Sequence, residues 1–234
     1  MSFHLFRPLK GFTWVVLLAG VSAQAAQFTP LTPLPSPQID ASAPAYPGGN
    51  FNAGRLIDGD VKTEYATNGK GTDTFVEFRF PEEVPVAAFR HVDRNDPATV
   101  AASELVFMDD QGTVLSTAAV PHSALPAAQT VFMLPSPVTA QRVKWQVTQL
   151  GPQNYGTVGG AEIAFFTAGA PEAAPAHDAI TVKQFPILST SAAGPVQTLH
   201  VTITHPYAEP ADAVLHLDGA EPHPLRLEFG TQEL

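Results

Sequence analysis

"LIDGDVKTEYAT", Leu56 to Thr67, places Asp58, Gly59, Asp60 and Thr63 within six residues. Such a stretch forms a tight turn, a metal loop, or both. An EF-hand loop is excluded, because the acidic positions are too few and no bidentate glutamate stands at the twelfth place. A phosphate loop is excluded too: in "NGKGT" (68–72) Lys70 is followed by glycine, and no earlier glycine sits at the required spacing.

The residues after the turn are strand-like throughout. "FVEFRF" (75–80) alternates, with Val76, Phe78 and Phe80 on one face. "VAAFRHV" (86–92), "ELVFM" (104–108), "GTVLST" (112–117) and "TVFML" (130–134) follow. In "QRVKWQV" (141–147) Val143, Trp145 and Val147 face one way and Arg142, Lys144 and Gln146 the other. "AEIAFF" (161–166) closes the block. Short alternating runs separated by Gly, Pro and Asp turns predict an antiparallel β-sandwich, and "MDDQGTV" predicts a hairpin turn. The expected class is all-β.

Two proline-rich stretches bound that block. Residues 27–47, with "FTPLTPLPSPQIDASAPAYP", read as an extended linker, since proline removes backbone donors. Residues 168–178 read as a second linker, leaving 48–167 as one β domain. Residues 179–234 carry about four further strands, "AITVKQFPIL", "QTLHVTITHP", "DAVLHLDG" and "LRLEFG". An immunoglobulin-like sandwich usually takes seven strands and about 100 residues. The tail therefore either packs on the first domain or opens a second, partial β-sandwich at the front of a longer protein, and the second is the expectation taken here.

Residues 1–26 have the form of a signal peptide. Arg7 and Lys10 precede the apolar run Gly11–Val21, which is far shorter than the roughly 20 residues of a membrane span, and "AQA" (23–25) is a small-x-small cleavage site. A secreted or periplasmic location is expected, with no membrane span after cleavage. Of 234 residues, 22 are acidic and 12 basic, and cleavage removes two of the basic ones and no acidic one. No nucleic-acid partner is expected for so acidic a chain, because nucleic acid needs basic patches. With no cysteine, disulfides, thiolate metal sites and lipoprotein attachment are excluded.

The order of these features resembles the discoidin domain (coagulation factor 5/8 type C), a galactose-binding-like jelly roll whose bacterial members include family 32 carbohydrate-binding modules. "LIDGDVKTEYAT" is similar to the family's D-G-D-x-x-T-x-W-x-[ST] stretch, and "FVEFRF" to the strand behind it. "DRNDPATVAASELVFMDDQG" is similar to its arginine-bearing loop, strand and hairpin. "AQRVKWQVTQ" and "GGAEIAFF" are similar to its closing strands. Tyr65 stands where the family usually has tryptophan, and the disulfide of animal members is absent.

The resemblance implies a structural calcium. Asp58, Asp60, Thr63 and Glu162 match its side-chain ligands, and the carbonyls of Arg55, Thr63 and Ala161 its backbone ligands. Calcium takes six to eight oxygens of such kinds, and Gly59 lets the backbone curl so that they converge. The alternative is a plain Asx turn in which Asp58 and Asp60 cap backbone amides.

The resemblance also implies ligand binding on loops at one end. Arg94, in "HVDRNDP" (91–97), matches an arginine that contacts sugar, with His91, Asp93, Asn95 and Asp96 beside it. Asn154 and Tyr155, in "PQNYG" (152–156), offer an amide and an aromatic face. The alternative puts Arg94 in a local salt bridge to Asp93 or Asp96. No catalytic residue is assigned: Glu82 and Glu83 point to opposite faces if extended, and no G-x-S-x-G elbow or H-E-x-x-H helix occurs. The expected function is a secreted, non-catalytic carbohydrate-binding module, stabilised by calcium, that positions an attached partner on a glycan. Its rivals are the N-terminal part of a glycoside hydrolase or other secreted enzyme, and an adhesive, protein-binding module.

Overall fold

The computed structural model describes residues 3–6, 17–18, 27–173, 179–191, 194–216 and 221–233. The expected signal peptide, 1–26, lies outside them except for Phe3–Phe6 and Leu17–Leu18. The chain divides into two compact units, Thr32–Ala168 and Met1–Leu31 with Gly169–Leu234.

The first unit contains β2 (Gln38–Ser42), β3 (Tyr65–Ala66), β4 (Phe75–Val92), β5 (Val100–Met108), β6 (Val114–Pro121), β7 (Gln129–Leu150), β8 (Gly159–Gly160) and β9 (Glu162–Ala168). Strand β1 (Leu31–Pro33) begins one residue before the unit. The ladder runs β1-β9-β4-β7-β5-β6, with β2 also on β4, and β3 pairs β8. The pairings of β4 with β2, β7 and β9, of β5 with β6 and β7, and of β3 with β8 are antiparallel.

This continuous ladder folds into two layers because β4 and β7 bend. Phe75–Arg79 pair with Arg142–Gln146 of β7, and the last four of them, 76–79, also with β2. Val84–Val92 pair instead with the first half of β7, and their last five residues with β9. The corner of β4 is Pro81, Glu82 and Glu83, all exposed. The corner of β7 carries Pro135 and Pro137, and its register slips between Met133 and Val138 and again between Ala140 and Arg142. Proline cannot donate to a ladder, so it belongs where a strand leaves one sheet for the next. A period of two cannot distinguish one bent strand from two straight ones, and 75–80 and 86–92 therefore read as separate in the sequence.

Between the layers lies one apolar core. Alternation buries Val76, Phe78 and Phe80 of β4, and Val143, Trp145 and Val147 of β7. Phe165 of β9 meets Phe78, Phe80 and Phe89 with ring centroids at 5.3, 5.6 and 5.7 Å. Those tilted and edge-on contacts suit the ring quadrupole. Tyr65, in place of a tryptophan, is fully buried and donates its hydroxyl to the Ala43 carbonyl at 2.8 Å. Close approach explains "GG": a Cβ on Gly159 would lie 2.0 Å from the Tyr65 carbonyl oxygen, and one on Gly160 2.5 Å from His91 Nε2. The hairpin forms at Asp109–Thr113, with Gly112 at φ +84°. The unit is the antiparallel β-sandwich that the alternation predicts, with the jelly-roll form that the resemblance implies.

The second unit carries β10 (Ala179–Ser191), β11 (Gly194–His205), β12 (Ala211–His216), β13 (His223–Leu227) and β14 (Gly230–Glu233). Strand β11 pairs β10 and β14, and β12 pairs β13. Val201, Ile203, Leu215 and Leu227 are buried.

The proline-rich stretch 27–47 departs from the linker expectation. Gln27–Phe28 pair with Glu172–Ala173, from within the expected second linker, whose residues 174–178 lie outside those described. Thr29 donates its N–H and hydroxyl to Glu209 at 2.7 and 2.9 Å, and Leu31 N–H donates to the Pro206 carbonyl. Gln38–Ser42 form β2. Proline removes only its own donor, and the residues between prolines keep theirs. It follows that residues 32–168 fold alone, and that a 48–168 fragment, lacking β2, melts about 4 °C lower or more. Equal melting of the two fragments in thermal circular dichroism would show β2 to be dispensable.

Candidate functional site

The Asp58–Thr63 turn is built by its own side chains. Ala53–Ile57 form a 3-10 helix capped by Asn52, whose side chain accepts from Gly54 N–H. Asp58 ends it, and Gly59 takes φ +78°. Asp58 Oδ1 accepts from Asp60 N–H at 3.0 Å, and Asp60 Oδ1 from Lys62 N–H at 3.0 Å. These are two successive Asx turns. Asp58 Oδ2 accepts from the Thr63 hydroxyl at 2.8 Å and from Arg55 Nη1 at 3.0 Å. The hydrogen bond from Asp60 N–H, then those from Thr63 and Arg55, hold the Asp58 carboxyl below the usual range.

Glu162 reaches this turn from β9, accepting from Gly59 N–H at 3.2 Å. Burial pushes its carboxyl up to about 7, against the pull of Arg90 and with further push from Asp58 and Asp60. Thus the structure brings Arg55, Asp58, Asp60, Thr63 and Glu162 around Gly59. Ala161, next to Glu162, is buried and donates its N–H to the Val92 carbonyl. Among the described residues, no group of three or more histidine, aspartate or glutamate side chains is gathered as a metal site. The donor chemistry nevertheless fits a hard cation: all the candidate ligand atoms are oxygens, and Glu162 is a largely buried carboxyl beside Asp58 and Asp60, whose charged form a cation would favour.

The expected ligand loop is ordered differently from its reading. His91 is 0 % exposed and lies in the core. Its ring stacks on Trp145 at 5.2 Å and meets His122 edge-on at 4.9 Å, and its Nε2 faces the Gly159 carbonyl at 3.1 Å. Burial lowers its pKa to about 4. His91 closes the alternating run of β4, so its side chain falls on the inward face and does not reach ligand. Asp93 is buried too, accepting from Arg94 N–H and Val100 N–H at 2.8 Å each, and burial raises its carboxyl to about 7.

Arg94 is 7 % exposed and is committed to the protein. Its Nε donates to Glu64 Oε2 at 3.1 Å and its Nη1 to the Thr157 carbonyl at 2.9 Å, while Nη2 lies 3.8 Å from Asp96. The nearest salt-bridge partner is therefore Glu64, across the loops, and the expected local bridge to Asp96 is present beside it at the longer distance. Asn154 braces its own loop: its Nδ2 donates to the Thr99 carbonyl at 2.9 Å, and its Oδ1 accepts from Gly156 N–H at 2.6 Å. Asn95 side chain is exposed, with its N–H donated to Glu64 Oε1 at 2.9 Å. Tyr155 is 88 % exposed.

The loop end thus consists of an exposed tyrosine and asparagine above a buried polar frame. Neighbouring loops extend it. Gly71 N–H donates to the Gly156 carbonyl, and Ala127 N–H to the Arg94 carbonyl. Leu125, in that last loop, is 61 % exposed, and its neighbours Ala124 and Ala127 stand at φ +55° and +54°. Non-glycine residues rarely adopt that region. Sequence reasoning missed Leu125 and Glu64. Neither carries a local signal, since Glu64 acts on Arg94 and Asn95 some thirty residues along the chain.

No family model matches the chain, and no curated protein matches it. Solved structures similar to it are family 32 carbohydrate-binding modules and discoidin domains, the classes that the sequence resembles. The family 32 module of Clostridium perfringens NanJ, solved with galactose, is 16 % identical, with 59 % of this chain and 99 % of that chain covered and a TM-score of 0.46. The F5/8 type C domain of a Bacteroides fragilis protein is 12 % identical, covering 58 % and 95 %, with a TM-score of 0.48. The C-terminal domain of a chitobiase from Bacteroides fragilis is 17 % identical, covering 59 % and 99 %, with a TM-score of 0.46.

Two outcomes follow for this end of the sandwich. Arg94→Ala should destabilise the unit by about 2–3 kcal/mol, because it strands Glu64 and the Thr157 carbonyl. Tyr155→Ala should cost about 0.5 kcal/mol or less. Urea titration checks both, and equal costs would contradict the frame. The lowered pKa of His91 means that its neutral form is favoured by folding, so its contribution is whole above pH 6.5 and is lost as pH falls towards about 4. Imidazole NMR should find His91 neutral at pH 5.5, and a midpoint near 6.5 would contradict its burial.

Proposed function

We propose that this chain is a non-catalytic carbohydrate-binding module that uses the loop end around Tyr155 and acts outside the cytoplasm, where it positions an attached partner on a glycan. The observation that carries this reading is the presentation of Tyr155. It is almost wholly exposed, yet the residues on both sides of it are tied down, Asn154 to Thr99, Gly156 to Gly71, and Thr157 to Arg94. A fixed aromatic face stacks on the C–H surface of a sugar ring without first losing side-chain and loop entropy. Asn95 supplies amide donors and acceptors for hydroxyls. The resemblance of the sequence to discoidin domains supports the same reading, as does the galactose in the solved NanJ module.

Calcium in the Asp58–Thr63 turn belongs to this proposal. It would be held by Asp58, Asp60, Thr63 and Glu162, with carbonyls of Arg55, Thr63 and Ala161, and would tie the first loop of the unit to its last strand. Protein adhesion is the second reading, favoured by Val114 and Leu115, which are 57 % and 49 % exposed on the edge strand β6. No helix among the described residues is long and apolar enough to cross a membrane.

Calorimetry with galactose-, glucosamine- and mannose-type sugars tests the first claim. At least one should bind, and Tyr155→Ala should weaken it about tenfold. A folded protein that binds none of them would shift the reading to adhesion. For the metal, excess calcium should raise the melting temperature by several degrees, and Asp60→Ala should abolish the rise. The rise should be larger at pH 8 than at pH 6, because Glu162 must lose the proton that it holds up to about pH 7. Identical melting in calcium and in chelator would leave the Asx turns standing alone.

A further inference from the structure

Glu64 sits between the two candidate sites and belongs to neither set of expected ligands. It directly follows Thr63, whose hydroxyl closes the turn on Asp58 at 2.8 Å and on the Asp60 carbonyl at 3.1 Å. Its own carboxylate leaves the turn and enters the loop end. One oxygen accepts from Asn95 N–H at 2.9 Å, and the other from Arg94 Nε at 3.1 Å. Arg94 passes the connection on through Nη1 to the Thr157 carbonyl, two residues from Tyr155. The side chains of Glu64 and Arg94 are only 19 % and 9 % exposed, so water competes weakly for either charge.

We infer that Glu64 is the positioning residue of the ligand end: it sets the spacing of Asn95 and Tyr155 by holding both of their loops through Arg94 and the Asn95 amide. The inference rests on the glycan reading for its functional meaning. Physically, three parts of the chain far apart in sequence, Glu64, Asn95 and Thr157, meet on one ion pair. A planar guanidinium with donors in fixed directions is what relays such a constraint, because Nε and Nη1 address two different loops without a rotatable bond between them. A carboxylate is required at the other end, since both of its oxygens must accept. Glutamine offers one acceptor and an amide that faces a donor. The turn and the loop end consequently move as one piece, and whatever orders Asp58–Thr63 also orders the tyrosine loop.

The test uses the full chain with Glu64→Gln, and Glu77→Gln as control. Glu77 also pairs with an arginine, Arg142 at 3.3 Å, on the sheet face. In two-dimensional amide NMR, Glu64→Gln should move and broaden the signals of Asn95, Tyr155, Gly156 and Thr157, whereas Glu77→Gln should leave them in place. Galactose, as the probe, should bind Glu64→Gln about tenfold more weakly than wild type and Glu77→Gln as wild type. Unmoved loop signals in a folded Glu64→Gln protein would overturn the inference, and so would moved signals with unchanged galactose affinity. If Glu64→Gln does not fold, Arg94→Lys keeps the charge without the fork and must give the same pattern. If galactose does not bind wild type, whichever of the glucosamine- or mannose-type sugars does bind takes its place as the probe; if none binds, the glycan reading fails and the amide signals alone decide the role of Glu64.

Discussion

Phe165 is where the two layers of the sandwich meet. Its ring touches Phe78 and Phe80 from one arm of the bent strand β4 and Phe89 from the other. The two arms serve different layers, so a single side chain on β9 packs against both. The rest of the unit depends on that packing. Glu162, three residues earlier on the same strand, is delivered to the Asp58–Thr63 turn. His91, at the end of the second arm, is pressed onto Trp145 from the opposite layer. Removing the Phe165 ring would leave a cavity among three aromatic rings, a change that costs about 3–5 kcal/mol in other cores.

The loop end inherits its order from that core, but it uses a different physics. Asp93, Arg94 and Glu64 are polar groups held out of water, and each has its partners supplied by backbone or by opposite charge. Half-satisfied polar networks are unstable, and fully satisfied ones specify a single geometry. The exposed side chains of Asn95, Leu125 and Tyr155 stand on this frame, to which Asn95 gives only its backbone N–H. That division allows an exposed aromatic face to be fixed in place, as the proposed sugar interaction would require. It also separates binding from folding, because changes at Tyr155 leave the frame intact.

Local patterns were legible in the sequence, and long-range ones were not. Alternation in "FVEFRF" and "QRVKWQV" showed which side chains face the core, and the glycine and aspartates of "LIDGDVKTEYAT" showed a tight turn. The continuity of β4 and β7 was hidden, because proline at a corner looks like proline in a loop. The strands within 27–47 were hidden for the same reason, since composition counts the prolines and overlooks the pairing donors of Thr29, Leu31 and Gln38–Ser42. Arg94 was legible as important and not as buried: its partners Glu64 and Thr157 lie thirty and sixty-three residues away, a distance that no local pattern spans. His91 reads both as the end of the strand 86–92 and as the start of the loop 91–97, and it belongs to the strand, as the last inward-facing residue of β4, one short of its end.

The central claim is that a rigidly mounted Tyr155 is the face that receives sugar. Saturation-transfer NMR on the full chain measures it directly, with the Tyr155 ring resonances assigned by loss in Tyr155→Phe and irradiated in the presence of a galactose-terminated oligosaccharide. Magnetisation should pass from the ring to the C–H protons on one face of a single sugar residue. Transfer arising from another surface, with the Tyr155 ring silent, would contradict the account.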